Sequence, residues 1–267
     1  MIRDLSIWTV TARASTGAHL KHHAVFLQNS LIRFLNVPAQ VAALFFLWQH
    51  LPVSTTRGLT PHDLLLYNVL TFLVRWLFSF RMVAEETERA IEEGTLVNNL
   101  VRPLPFSAFE FGRVLSRLLI NLTALSVVLI PALLFLGALP GPGVIGSFAV
   151  LMLAGAVVQY QIYSLIGTLA FWMGRIFGIV YAFDLTLLLT AGTLLPLSIY
   201  PPAVAQVLLN LPFRFFAYTP VQALIHPNSP GWVLHELTGA LGWIVGLGLL
   251  HAVLWRQGLK RFSGAGV

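Results

Sequence analysis

Residues able to do chemistry are few in this chain, and most of them lie close together. Of its ten acids, six fall between Arg81 and Arg117: Glu85, Glu86, Glu88, Glu92, Glu93 and Glu110. Because there is no cysteine, disulfides, thiolate metal sites and cysteine nucleophiles are excluded together. His19, His22 and His23 have a helical spacing that puts at least two on one face. No acid or cysteine stands beside them to complete a metal site, so they are read as part of a solvated helix and no metal ligand is assigned. No G-x-x-x-x-G-K-S/T loop is present, and a phosphate cradle needs that glycine-rich turn with its lysine. The chain itself is therefore expected to hold no cofactor and no catalytic residue.

Two more charges, Arg75 and Asp184, sit inside long apolar runs. A charge at the centre of a membrane helix costs about 2.5–3.5 kcal/mol on insertion. The two could neutralise one another as a buried pair that fixes helix packing, or touch a polar group of a substrate. Arg75 could also reach to the lipid headgroups, as Arg33 would from the inner end of its own run.

The elements that must position these residues follow from composition. The chain has 267 residues, 57% hydrophobic and 10% charged, against a charged share of about 25% in soluble domains. So much apolar surface does not fit inside one soluble core, whereas a bilayer accepts it if each span is a helix that satisfies its own backbone. Spanning takes roughly 20 apolar residues. Six stretches qualify: Val25 to Trp48, His62 to Val83, Arg113 to Ala138, Val144 to Met173, Phe177 to Leu197 and Trp232 to Trp255. Thr60-Pro61-His62-Asp63 has a capping Thr, a Pro at the first helical position and an acid in the first turn, which predicts a helix start. Ser107-Ala108-Phe109-Glu110 is a capping box that predicts another.

Basic residues set the orientation. With the N-terminus inside, cytoplasmic segments hold Arg3, Arg13, Lys21, Arg81, Arg89, Arg102, Arg113, Arg117, Arg175, Arg256, Lys260 and Arg261, and the other side holds Arg57 and Arg214. That asymmetry predicts both termini in the cytoplasm. In this setting the net charge of +6 reflects topology and does not imply nucleic acid. The start lacks the basic, apolar and small-residue regions of a signal peptide, so the mature chain is expected to begin at Met1. Residues 1–24, with Leu5, Trp8, Ala12 and Leu20 among polar neighbours, read as an interfacial helix. Residues 198–230 carry Pro201, Pro202, Pro212, Pro220, Pro227 and Pro230, and their proline-free pieces are too short to span. This segment is expected to lie at the outer interface or to re-enter the membrane, with short helices near Ala203 to Leu211 and Phe213 to Ala217. Gly242 and Gly246 form a G-x-x-x-G in the last span, open to packing within the chain or to dimerisation. No internal repeat is visible, and the chain reads as one domain.

Between the second and third spans lies the charged segment. Glu85 and Arg89 stand four apart in the order that favours a helical pair, so a helix is expected to continue out of the membrane. Gly94 offers a break, Leu96 to Val101 an exposed apolar step, and Pro103 with Pro105 a stiff turn. Together they describe a docking surface for another protein; the alternative is an ordinary solvated loop.

Ile91-Glu92-Glu93-Gly94-Thr95-Leu96, followed by Leu100-Val101-Arg102-Pro103-Leu104, resembles the cytoplasmic segment of type 2 ATP-binding-cassette permeases, in particular their small six-helix branch of ABC-2 family transporter proteins. The resemblance covers nearly the whole chain, because a proline-rich outer section also precedes the last span. It implies an all-α, type V exporter-like permease fold in the bacterial cytoplasmic membrane, with 1–267 as one permease domain. It further implies that 84–112 is the coupling segment. Glu85, Glu86, Arg89, Glu92, Glu93, Gly94, Leu96, Arg102 and Pro103 would then dock a cytoplasmic ATP-binding subunit, which carries the ATP and Mg. Residues 198–230 would be the extracellular re-entrant helices, and a second permease and membrane lipids the other partners. No nucleic acid partner is expected.

Rival readings are a different kind of polytopic transporter, a membrane scaffold, or an intramembrane protease. Secondary transporters usually show internal repeats and broken midplane helices, and neither is visible. Glu85-Glu86-Thr87-Glu88-Arg89 falls one residue short of the E-E-x-x-x-R motif of CAAX-type proteases and has no histidine pair deeper in a span.

Overall fold

A computed structural model describes residues 59–77, 80–100, 140–225 and 229–262, with isolated helical positions between 42 and 50 and between 110 and 123. The interfacial segment 1–24, most of the first and third expected spans, Ser107, Arg102 and Pro103 lie outside the described residues. Every regular element among the described residues is helical. In chain order they are α1 (Pro61–Leu77), α2 (Arg81–Glu92), α3 (Leu96–Leu100), α4 (Pro142–Thr168), α5 (Ala170–Met173), α6 (Phe177–Thr190), a 3₁₀ turn (Leu197–Ile199), α7 (Pro202–Asn210), a second 3₁₀ turn (Pro212–Phe216), α8 (Tyr218–Ile225) and α9 (Pro230–Arg261).

The start of α1 is the one its sequence predicts. The Thr60 backbone N–H donates to Asp63 Oδ2 at 3.0 Å and the Asp63 N–H to Thr60 Oγ1 at 3.2 Å, a reciprocal capping box with Pro61 at the first helical position. At α9 the Ser229 hydroxyl accepts from the Trp232 N–H at 3.2 Å, again with Pro at the first helical position.

Two helices among the described residues are long and apolar enough to cross a membrane, Pro142–Met173 and Pro230–Arg261, each of 32 residues. At 1.5 Å per residue each measures about 48 Å, well beyond a hydrocarbon core of about 30 Å. They run parallel: Gly248 faces Gln161, and ten residues on Gly258 faces Phe171. The close approach depends on glycine, since a Cβ at Gly258 would enter the Phe171 ring. Helix α4 is central, with α9, α2, α8 and the second 3₁₀ turn packed around it. The opposite side of α9 is bare and apolar, exposing Leu234, Leu241, Val245, Leu249 and Val253, as a face turned to lipid would be. Gly242 and Gly246 have open space above them and make no close packing among the described residues.

The expected fifth span, Phe177 to Leu197, is helical only to Thr190. Fourteen residues make about 21 Å of helix, short of the hydrocarbon thickness. The helix stops because Gly192 takes a left-handed conformation (φ +74°), after which the Leu194 N–H turns back to the Leu188 carbonyl at 3.3 Å. Tyr67 of α1 donates to the Gly192 carbonyl, and the Tyr218 N–H to the Ala191 carbonyl at 3.2 Å. The proline-rich segment that follows forms helices over Pro202–Asn210 and Pro212–Phe216, close to the expected positions, and then α8.

Candidate functional site

Helix α2 is amphipathic, burying Val83, Ala84, Thr87, Ala90 and Ile91. Its buried side lies on α4, where a Cβ at Gly167 would press on Thr87 and Ala84. Glu88 reaches across to α6 and accepts the Ile176 N–H at 2.9 Å, placing a carboxylate on that helix's N-terminus, where the backbone dipole favours negative charge. Glu92 approaches Arg175 at 3.7 Å, an exposed pair of small energetic weight. Helix α2 is thus anchored to both α4 and α6 while Arg89 and Glu93 face outward.

Beyond α2 the chain turns at Gly94 (φ +69°), a backbone conformation that suits glycine. Leu96, expected as an exposed apolar step for a partner, is 0% exposed and joins the same buried cluster as Ile91 and Ala84. Its burial takes apolar surface out of water, and the left-handed turn at Gly94 lets the chain bring it back against that cluster. Among the described residues here the exposed apolar one is Val97, with Asn98 beside it.

Asp184 is held by a residue other than Arg75. Arg81 Nη1 donates to Asp184 Oδ2 at 3.1 Å, and Arg81 Nε to Glu85 Oε1 at 2.6 Å. Glu85 therefore pairs one turn back along its helix, in place of the expected partner Arg89. The Tyr163 hydroxyl of α4 donates to Asp184 Oδ1 at 2.6 Å. The Arg81 guanidinium also lies over the Phe177 ring, 5.4 Å from its centroid. One cluster thereby joins α2, α4 and α6. Arg75 is exposed in the last turn of α1, where the helix C-terminus favours a cation. It lines a cleft with Asp184 but makes no ion pair with it.

A second ionic cluster was missed on the sequence. Glu236, 5% exposed in the first part of α9, accepts from Arg214 Nη1 at 3.1 Å and from the Thr219 hydroxyl at 3.2 Å. Arg214 lies 4.8 Å from the Phe215 ring centroid. The available signal was an acid within an apolar span, which demands a partner. Arg81, Tyr163 and Glu88 gave weaker signals: one arginine among several, one tyrosine in an apolar helix, and one glutamate of five in a row of nine residues.

Long apolar helices, a bare apolar outer face and ionic clusters tucked between helices suit a protein built into a membrane. A family model described as ABC-2 family transporter protein matches residues 34–266, all but the first 33 positions and the last. The chain belongs to the ABC-2 family transporter proteins: it is a transmembrane permease, the membrane component of an ATP-binding-cassette transporter. No curated protein matches it.

Proposed function

We propose that this chain is the permease subunit of an ATP-driven exporter, forming the substrate path and coupling it to separate cytoplasmic ATP-binding subunits, which carry the ATP and Mg. In this reading residues 1–267 are a single domain of six spans with both termini cytoplasmic, in a bacterial cytoplasmic membrane. A second permease, identical or related, completes the path. Residues 84–112 are the coupling segment, and 198–230 re-enter the membrane from outside. The observation that carries the reading is the double anchoring of α2 on α4 and, through Glu88, on α6. A short helix so tied moves as one piece with the spans, and its outward residues offer a grip to a partner. The grip consists of Arg89, Glu92, Glu93, Val97 and Asn98, with Arg102 and Pro103 following; Gly94 forms the turn, and Leu96 supports it from beneath. Closure of the ATP-binding subunits on ATP would push α2 and so tilt α4 and α6.

Co-purification with the ATP-binding subunit in detergent, then hydrolysis in liposomes, tests this. Glu92→Lys with Glu93→Lys should weaken association and abolish substrate-stimulated hydrolysis while the permease still folds and inserts. Parent-like association and stimulation in that variant would reduce the segment to a solvated loop and remove the main support for coupling there.

A further inference from the structure

We propose that the cleft between α1, α4 and α6 is a binding site for a ligand bearing an oxyanion, a phosphate or a carboxylate, held by Arg75 and Gln159. The cleft offers a cavity of about 70 Å³ and is lined by Arg75, Gln159, Tyr163, Asp184, Thr193 and Phe216, among others. That is room for a small headgroup and not for a large ligand.

The chemistry follows from which polar groups are already committed. Both Asp184 oxygens are occupied, one by Tyr163 and one by Arg81, which Asp184 shares with Glu85. The Thr193 hydroxyl donates to the Leu187 and Leu188 carbonyls at 3.2 and 2.9 Å. What remains are donors. Gln159 is 5% exposed, and its Nε2 has no hydrogen-bond partner, an arrangement that leaves a desolvated donor unsatisfied. Arg75 lines the same space as a cation with no ion pair among the described residues. An oxyanion is the group that satisfies both at once: it accepts from the amide, and it neutralises a guanidinium that apolar surroundings disfavour. This site needs only an inserted chain, and its test reads equilibrium binding without hydrolysis, so it stands or falls separately from the coupling role of α2.

The purified full-length chain in detergent is titrated with phosphatidylglycerol, diacylglycerol and inorganic phosphate, following occupancy by native mass spectrometry and thermal melting. Phosphatidylglycerol should bind at one tight site, at least about tenfold better than diacylglycerol, which has the same tails and no phosphate, since a charge-assisted bond is at stake. Arg75→Gln should remove that preference and Arg75→Lys should retain most of it. Gln159→Leu should weaken binding severalfold; Gln159→Glu, which keeps the shape but repels an anion, should weaken it further. Saturable binding of phosphate alone, lost in Arg75→Gln, would identify the free anion as sufficient; binding of the lipid alone would identify a headgroup with its tail. Equal binding of both lipids by the parent, or anionic binding indifferent to Arg75→Gln, would overturn the proposal. The exposed position of Arg75 lets that variant fold and keeps the test decisive.

Discussion

At the scale of single residues, the cost of charge in an apolar setting organises this molecule. Asp184 finds Arg81 and Tyr163, and Glu236 finds Arg214 and Thr219, because a carboxylate between membrane helices must have donors aimed at it. The first prediction separates the two arginines near Asp184. In a double-mutant cycle read by denaturant unfolding in micelles, Arg81→Gln with Asp184→Asn should show a coupling of roughly 0.5–3 kcal/mol, and Arg75→Gln with Asp184→Asn should be additive within about 0.5 kcal/mol. The opposite pattern would hand the carboxylate to Arg75. A second prediction concerns Glu236→Ala, which strands a largely buried Arg214 and should cost about 3–5 kcal/mol in the same assay. A loss under about 1 kcal/mol would mean that water reaches the pair and screens it.

At the scale of elements, α2 and α3 show how one segment divides between support and contact. Leu96 is wholly buried while its neighbour Val97 is 42% exposed, so adjacent substitutions should have different consequences. Leu96→Ala should lower stability by about 2–5 kcal/mol through the cavity it leaves, and the fraction that remains folded should still bind the ATP-binding subunit. Val97→Asp should leave the melting of the permease unchanged and weaken association. Melting curves and co-purification run on both variants check the pair; equal effects on both readouts would erase the distinction. Capping at Thr60 was legible because it depends on residues within one turn. The end of α6 at Thr190 was not, since apolar residues continue to Leu197 and the stop rests on Gly192, with Tyr67 and Tyr218 contacting it from elsewhere in the chain.

At the scale of the whole molecule, the parallel pair α4 and α9, the α2 helix laid across α4 and the turn at 174–176 give the chain two distinguishable ends. The absence of native cysteine makes sidedness measurable. Single cysteines replacing Ser6, Thr95, Ser107 or Ser263 should react with an impermeant reagent only from the cytoplasm, and those replacing Thr56 or Ser229 only from outside; outside labelling at Thr95 would break the topology and the coupling role of α2 with it. Membrane class, the prolines that interrupt 198–230, the helix start at Thr60 and the family were already determined by the sequence, because each rests on composition or on residues a few positions apart. Which charges meet, and whether Leu96 faces a partner or the core, was decided only by tertiary structure. Arg81 and Asp184 lie 103 positions apart, and no local pattern specifies which turn of one helix rests against which turn of another; that is set by close packing, as where Gly258 admits Phe171 and Gly167 admits Thr87.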